Sequence, residues 1–179
     1  YITYFLYKTT LMSQFEVKDT INGQSYVTCC YSGENKVFND PFDWSDNDFS
    51  REHTYAHSWM PTFPCNNPEE EEYSDQHNLY PANLPNANSP RSNLPLADIT
   101  GNTVFNYLEG SVGYNDAGQL VYEPRASHKG NAARAIMYMA TCYNGTGGLN
   151  WGIPSNQSQE TLRTWPVSYT HLRAHETKA

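Results

Sequence analysis

The sequence contains few leucine, isoleucine and valine residues, and only 38% of its 179 residues are hydrophobic. Without a long periodic stretch rich in Ala, Glu, Lys, Leu and Arg, it does not fit a coiled coil or a long-helix bundle. It also has no run of 18 apolar residues, so it offers no transmembrane-helix candidate. Charged residues make up only 17% of the chain and the aromatic residues, 14%, are spread along it, which argues against disorder. The length suits one domain with a sizeable core.

Basic residues are also scarce, with 11 Lys and Arg against 19 Asp and Glu and a formal net charge of −8. Phosphate-binding proteins usually carry a basic face, so this balance alone argues against a nucleic acid partner. The acidic residues are clustered, however, as in the run Glu69–Glu72. Net charge therefore does not describe the local charge, and nucleic acid stays open as a partner.

Both ends of the sequence differ from those of an ordinary full-length protein. The chain starts at Tyr1, without a signal-peptide pattern, which predicts a fragment truncated at both ends. The string Val167–Thr177, VSYTHLRAHET, resembles a translated sequencing-library adapter. We therefore expect one domain over residues 1–166 and a non-native tail over residues 167–179, whose histidines are left out of any metal site.

The remaining patterns predict a mixed α+β fold. Residues 1–32 alternate polar and apolar side chains, and the Asn22-Gly23 turn within them predicts a β-hairpin among aromatic-rich strands. Further strands are predicted within residues 51–60, 75–81 and 118–123. Residues 33–50 are turn-rich and acidic, residues 61–74 are predicted to form a loop, and a short helix is expected within residues 82–95.

The strongest helix pattern covers residues 128–143, with Ser127 as its N-cap and an amphipathic apolar face. Two basic side chains, Lys129 and Arg134, are expected away from that face. A second helix is expected to begin within Ser158–Trp165.

The four cysteines, Cys29, Cys30, Cys65 and Cys142, have no zinc-site spacing. Two interpretations stay open for them. They are small buried residues, or Cys29 or Cys30 forms one bridge with Cys65 or Cys142 in an oxidising compartment.

The residues able to do chemistry are concentrated between positions 51 and 93. Adjacent strand residues face opposite ways, so Glu52 and His53 serve one site only at a strand end, at an irregular turn or around a bridging metal. Metal-assisted hydrolysis of a phosphodiester needs an oxygen ligand, a base near neutral pKa and a cation, and Glu52, His53 and Arg91 are of these types. The structural alternative is a hydrogen-bonded core histidine beside a Glu52–Arg51 pair.

Three separated motifs add a family resemblance. They are Arg51-Glu52-His53 near a tryptophan, SDQHNLYP over residues 74–81, and an NxxR motif at Asn88–Arg91. Together with the later stretch YEPRASHKGNAARAIMYM, they resemble the bacterial endonuclease I family and most closely its Bacteroidetes branch. That resemblance implies a secreted or periplasmic nuclease with a ββα-metal (His-Me finger) core.

The resemblance also implies roles for individual residues. His53 matches the general base, Glu52 and Asn88 match the metal ligands with Asn86 as a weaker competitor, and Arg91 matches a catalytic arginine that binds phosphate or braces the site. Asn78 and His77 match structural support of the site. Substrate contacts are expected from Arg125, Lys129 and Arg134, of which Arg134 reaches a phosphate or pairs with Glu123.

The implied activity is Mg²⁺-dependent hydrolysis of DNA, with Ca²⁺ or Mn²⁺ as alternative ions and RNA left open as a substrate. The resemblance predicts little sequence specificity, 5′-phosphate ends and a monomer with no membrane partner.

The chain also departs from the family, whose members carry a further arginine in the loop after the REH motif. Here no Lys or Arg occurs between Arg51 and Arg91, which leaves open which cation takes that place.

Two other classes of protein remain as alternatives to the nuclease. One is a non-catalytic extracellular module that binds nucleic acid or carbohydrate, and the other is a zinc hydrolase that uses His53, His57 and Asp75.

Overall fold

The computed structural model describes residues 3–7, 16–21, 24–38, 48–64 and 70–166. Three small antiparallel sheets and several helices make up this part of the chain, which confirms the α+β class. No helix among these residues is long and apolar enough to cross a membrane. The predicted tail, residues 167–179, lies outside the described residues.

The first sheet contains the predicted hairpin. Strands β1 (Val17–Ile21) and β2 (Gln24–Thr28) pair antiparallel, with Ile21 opposite Gln24, so their connection falls at positions 22 and 23. The Asn22-Gly23 turn itself lies outside the described residues. A third strand, β3 (Asn35–Phe38), pairs with β2. The turn-rich composition of residues 33–50 did not indicate this strand, whose Val37 and Phe38 pair with Tyr26 and Ser25.

At the N-terminus, the strand expected from alternation is also wrong where the structure describes it. Tyr4–Leu6 form one helical turn, α1, and the Thr3 side chain accepts a hydrogen bond from the Leu6 amide at its start. Tyr7 is buried and its hydroxyl donates to the Leu79 carbonyl at 2.8 Å. The alternating aromatic side chains of this segment predicted a strand. In the structure they belong to a helical turn and the residue after it, and they pack onto the second sheet.

The second sheet carries the chemistry-bearing motifs. Strands β4 (Phe49–His53) and β5 (Leu79–Asn83) pair antiparallel, with Glu52 opposite Tyr80. The strand predicted over residues 51–60 ends early, and His57–Trp59 form a 3₁₀ turn. A short helix, α2 (Glu71–Ser74), interrupts the loop predicted at residues 61–74. After β5, a π-helical turn (Leu84–Asn88) runs into α3 (Ser89–Arg91), within the region predicted to hold a short helix.

The third sheet contains β6 (Thr103–Tyr107), β7 (Gly110–Tyr114) and β8 (Leu120–Glu123) in that order. Only β8 was predicted. The turn before it is held by Asn115, whose side-chain oxygen accepts from the Ala117 and Gln119 amides.

The long helix, α4, spans Ala126–Cys142, so it begins two residues before the predicted start. Ser127 is not its N-cap, because Arg125 occupies that position and makes no side-chain cap hydrogen bond. The predicted apolar face is buried at Ala132, Ala133, Ile136 and Met139. Residues 159–166 are helical, as expected after Ser158.

The first and second sheets are joined through the cysteine pair. The Cys30 amide donates to the Pro81 carbonyl at 2.8 Å, and the Asn83 amide donates to the Cys29 sulfur at 3.3 Å. Cys29 and Cys30 are buried free thiols, which confirms the small-buried-residue interpretation for them. Cys142 is a free thiol too, but it is exposed, and Cys65 lies outside the described residues.

Candidate active site

One open pocket of about 460 Å³ collects the residues of the REH and NxxR motifs. Its walls come from α1, β4, the turn at residues 56–58, and the helical segment that follows β5. Glu52, His53, Asn88 and Arg91 all line it. Residues that are 39 positions apart in the sequence therefore share one cavity, because the β4–β5 pair and the helical segment fold over it.

His53 is the last residue of β4, and Asn78 holds the chain that follows it. The buried Asn78 side chain accepts from the Tyr55 amide at 2.6 Å and donates to the Tyr55 carbonyl at 3.1 Å. The Asn78 carbonyl also accepts from the Thr54 amide at 3.0 Å. The strand thus ends at His53. A strand end is one of the places where the adjacent side chains of Glu52 and His53 can line the same pocket.

The imidazole of His53 is buried and held in one tautomer. Its Nε2 lies 2.7 Å from the Tyr73 carbonyl oxygen, which can only accept, so Nε2 carries the proton and Nδ1 has the free lone pair. Burial lowers the pKa of His53 to about 4, although the hydrogen bond to the Tyr73 carbonyl acts to raise it. At neutral pH the ring is therefore an uncharged base.

Glu52 is a buried carboxylate with two polar partners. Its Oε1 accepts from the Tyr31 hydroxyl at 2.9 Å and lies 3.6 Å from Arg91 Nη1. Burial raises the pKa of Glu52 to about 7, although Arg91 and the Tyr31 hydrogen bond both act to lower it. These two partners do not fully offset the loss of water around the carboxylate.

Arg91 is fully buried beneath the pocket. Its Nη1 donates to the Ser92 carbonyl and its Nη2 to the Thr54 carbonyl, both at 2.6 Å, while the guanidinium lies 4.9 Å from the Trp59 ring centroid. Of its two expected roles, these contacts favour bracing over phosphate binding. They join the NxxR segment to the chain just after His53.

The bracing contact depends on an unusual backbone conformation at Ser92, which ends α3 with φ 48° and ψ −116°. This region favours glycine. We expect Ser92→Val to cost about 1–2 kcal/mol of unfolding free energy and Ser92→Gly to cost less. Thermal unfolding would measure both, and Ser127→Val in the exposed first turn of α4 is the control. A Ser92→Gly protein less stable than Ser92→Val would contradict this account.

The structure separates the two candidate asparagines. Asn88 lines the pocket, whereas Asn86 is not among its lining residues. The Asn86 amide instead bonds to the Asn83 side chain at 2.8 Å and helps to start the helical segment.

His77 lies outside this pocket, with 71% of its side chain exposed. Its ring bonds to Asp75 at 3.0 Å and lies 4.6 Å from the Tyr138 ring. Asp75 also accepts from the hydroxyls of Tyr138 and Tyr143. The described residues contain no group of three His, Cys, Asp or Glu side chains placed to hold a metal, so the zinc site of His53, His57 and Asp75 is not formed there.

The three basic residues expected to contact substrate differ in how far their side chains are exposed to solvent. Arg134 is exposed and bonds to Asn131, and Arg125 is partly exposed, 3.8 Å from Glu109. Lys129 is buried, so its expected position on the open side of α4 was wrong. Its ammonium lies 2.5 Å from Asp98 and 2.6 Å from Glu123.

These contacts make Lys129 a structural residue. Burial would lower its pKa, but the bonds to the two carboxylates outweigh burial and raise it. Because Glu123 is taken by Lys129, the alternative pairing of Arg134 with Glu123 is not the one observed.

Sequence reasoning missed the aromatic residues that support the site. Tyr31 bonds to Glu52, Tyr73 holds His53, and Tyr4 stacks on the His53 ring at 5.2 Å with the two planes 7° apart. No spacing in the sequence links these tyrosines to positions 52 and 53. Their abundance was visible, but their partners depend on the tertiary fold.

A buried carboxylate, an uncharged imidazole and an amide in one pocket are groups suited to hydrolysis. Residues 3–165 match the family model described as Endonuclease I. The chain therefore belongs to the endonuclease I family and is a nuclease, a hydrolase whose substrate is nucleic acid. A search of curated proteins finds no match.

Proposed function

We propose that this protein is a secreted or periplasmic, Mg²⁺-dependent endonuclease that hydrolyses phosphodiester bonds of DNA with little sequence preference. RNA contains the same type of bond and is a further proposed substrate. Cleavage leaves 5′-phosphate ends, and the protein acts as a monomer. The observation that carries the proposal is the shared pocket of Glu52, His53 and Asn88, within a strand, strand and helix order that suits a ββα-metal (His-Me finger) core.

The donor atoms in the pocket fit a hard divalent cation. Within the described chain, the polar contacts of Glu52 fall on Oε1, so Oε2 is available to a ligand. Asn88 adds a neutral amide oxygen from the facing helical segment. Mg²⁺ binds through few protein oxygens and keeps several waters, so Glu52 and Asn88 would hold it. When bound, the ion supplies Lewis-acid stabilisation of negative charge on the phosphate.

His53 supplies the proton transfer in this proposal. Its unprotonated Nδ1 accepts the proton of the attacking water, and its Nε2–H keeps donating to the Tyr73 carbonyl. That carbonyl therefore orients the ring and stabilises the imidazolium that forms. The stacked Tyr4 ring excludes water from one face of the base.

Substrate binding is proposed to rest on phosphate contacts, which carry no direct sequence information. Arg125 and Arg134 are the members of the predicted set that retain exposed surface. These two cations serve this purpose despite the overall charge of −8.

A plasmid-nicking assay tests the function. We expect supercoiled DNA to be converted to open-circular and linear forms with Mg²⁺, with loss of activity in chelator and recovery when Mg²⁺ is added back. Products should accept a 5′ label only after phosphatase treatment. Intact plasmid across Mg²⁺, Ca²⁺ and Mn²⁺ would contradict the proposal, and better recovery with Zn²⁺ would contradict the choice of ion.

Changing either proposed ligand should weaken metal binding. We expect Glu52→Ala and Asn88→Ala each to raise the Mg²⁺ concentration for half-maximal cleavage by more than the about 10-fold that loss of an outer-shell partner costs, with partial recovery in excess Mg²⁺. Asn86→Ala is the matched control, because Asn86 is two residues from Asn88 but does not line the pocket. A larger shift in Asn86→Ala than in Asn88→Ala would reverse the assignment.

A further inference from the structure

A second open cavity, of about 560 Å³, borders the pocket that holds Glu52 and His53. Two aromatic residues, Tyr55 and Trp59, and three asparagines, Asn93, Asn150 and Asn156, contribute to its lining. None of the described residues that line this second cavity carries a charge, whereas Glu52 and Arg91 line the first pocket. The two spaces therefore differ in chemistry. The first suits a charged phosphate and a metal, and the second suits an uncharged, flat group with polar edges.

The two cavities share a wall. In the 3₁₀ turn after the general base, His57 and Ser58 line the first pocket, and the next residue, Trp59, lines the second cavity. Asn93 lines both. A nucleic acid strand whose phosphate occupies the first pocket therefore has the second cavity beside its neighbouring nucleotide.

Trp59 is a partly exposed aromatic residue whose ring is already fixed in place. The Arg91 guanidinium lies 4.9 Å from its ring centroid, and the Tyr55 ring meets it edge-on at 5.7 Å with the planes 86° apart. The Trp59 amide donates to the Ala56 carbonyl at 2.8 Å. Because the ring is held before a ligand arrives, stacking a base on it costs little side-chain freedom.

The opposite wall of the second cavity, residues 150–156, is anchored near both of its ends. The Tyr55 hydroxyl donates to the Gly152 carbonyl at 2.9 Å, next to the buried Trp151. Just after the wall, the buried Gln157 side chain accepts from the Leu96 amide at 2.8 Å and donates to the Leu96 carbonyl at 2.9 Å. The cavity is thus formed in the absence of a ligand, as binding sites for small groups usually are.

The polar groups of the second cavity match the edge of a base. Asn93, Asn150 and Asn156 are exposed, and each amide side chain offers one acceptor and two donors. Groups of this kind can pair with the polar edge of any base, and stacking on an aromatic ring tolerates every base as well. Such a site would add binding energy without adding sequence preference.

We propose that the second cavity binds one unpaired base of a single-stranded segment, beside the phosphate that is cleaved, and that Trp59 is the surface on which this base stacks. This inference rests on the proposed function. A base within a duplex must leave its stack and its partner to enter such a cavity, which costs free energy. We therefore expect the protein to bind single strands more tightly than duplexes of the same sequence.

The test removes the base from the substrate rather than a side chain from the protein. The full chain cleaves a 5′-labelled single-stranded thymidine oligonucleotide that carries one stable abasic residue, and the product ladder reports each bond separately. We expect kcat/KM to fall about 5–150-fold at one bond, at a fixed offset from the abasic residue, since one stacked base is lost. All phosphates remain, so a site that contacts only phosphates would cut every bond evenly.

Three variants assign this local loss of cleavage to Trp59. Trp59→Leu should make the ladder even, and Trp59→Phe should keep part of the loss because an aromatic ring remains. Tyr114→Leu is the control and should keep the full loss, because Tyr114 is an exposed aromatic residue outside both cavities. Each ladder is its own reference, so a change in overall rate through the Trp59 contact with Arg91 does not alter the comparison.

The outcomes separate this inference from the proposed function and from a folding defect. An even ladder with the unchanged protein would overturn the base-binding cavity and leave the nuclease intact, whereas absence of all cleavage would overturn the proposed function. An undiminished local loss in Trp59→Leu would overturn the role of Trp59. If Trp59→Leu unfolds, Trp59→Phe decides this last point, and the ladder of the unchanged protein still tests the cavity.

Discussion

His53→Ala is expected to lower kcat by about 10²–10⁴-fold, the usual contribution of a positioned general base. Nδ1 has the free lone pair because Nε2 is committed to the Tyr73 carbonyl, and burial keeps the ring uncharged at neutral pH. DNA binding should stay close to that of the unchanged protein, since the base acts in the chemical step. Single-turnover cleavage and fluorescence anisotropy in chelator measure the two quantities separately.

His77→Ala is the matched control for this substitution, because it removes a second imidazole whose ring is exposed outside the pocket. It should cleave DNA at the unchanged rate. Added imidazole should restore part of the activity of His53→Ala by occupying the vacated space. A His53→Ala protein with unchanged kcat would rule out the proposed proton transfer and favour a nucleic-acid-binding module.

Arg91→Met is expected to destabilise the fold by about 3–5 kcal/mol, because removing one partner of a buried ion pair leaves the other charge uncompensated. Glu52 would lose its cationic neighbour, and the Thr54 and Ser92 carbonyls would lose their donors. Urea unfolding measures the change. The pKa of Glu52 should rise further above about 7, since Arg91 acts to lower it.

A double-substitution cycle separates the charge effect from the loss of packing. Glu52→Gln removes the buried charge, so Arg91→Met should cost less stability in that background than in the unchanged protein. An equal cost in both backgrounds would show that the carbonyl contacts and the Trp59 stack, rather than the ion pair, account for the effect.

The parts of the fold that were predictable carry local patterns. The β1–β2 hairpin follows from alternation around Asn22-Gly23, and most of α4 follows from the 3.6-residue spacing of its apolar side chains. Strands β6 and β7 were missed because β6 is mostly exposed and β7 contains two glycines, which weakens any alternation. The turn at Tyr4–Leu6 was missed since its aromatic residues contact distant parts of the chain.

The residues of the site were also predictable where a local motif marked them and were missed where tertiary packing decides their position. The REH and NxxR motifs pointed to Glu52, His53, Asn88 and Arg91, and the structure brings all four to one pocket. Burial was not readable from those motifs. Lys129 was expected to contact substrate, but its position between Asp98 and Glu123 depends on how α4 packs against chain segments up to 31 residues away.

The contacts that close the pocket also set an order of events during folding. Tyr4 bonds to Ser74, Tyr7 to Leu79, and the Tyr55 hydroxyl to the Gly152 carbonyl at 2.9 Å, so these pairs are 70, 72 and 97 residues apart. Contacts of such long range form more slowly than local hairpins and helices. A nascent chain that has not yet reached residue 93 lacks part of the pocket lining, and one that has not yet reached residue 152 lacks the bond to Tyr55. The hydrolytic pocket therefore matures after the local hairpins and helices, and the chain just behind it is fixed last, when Gly152 is in place.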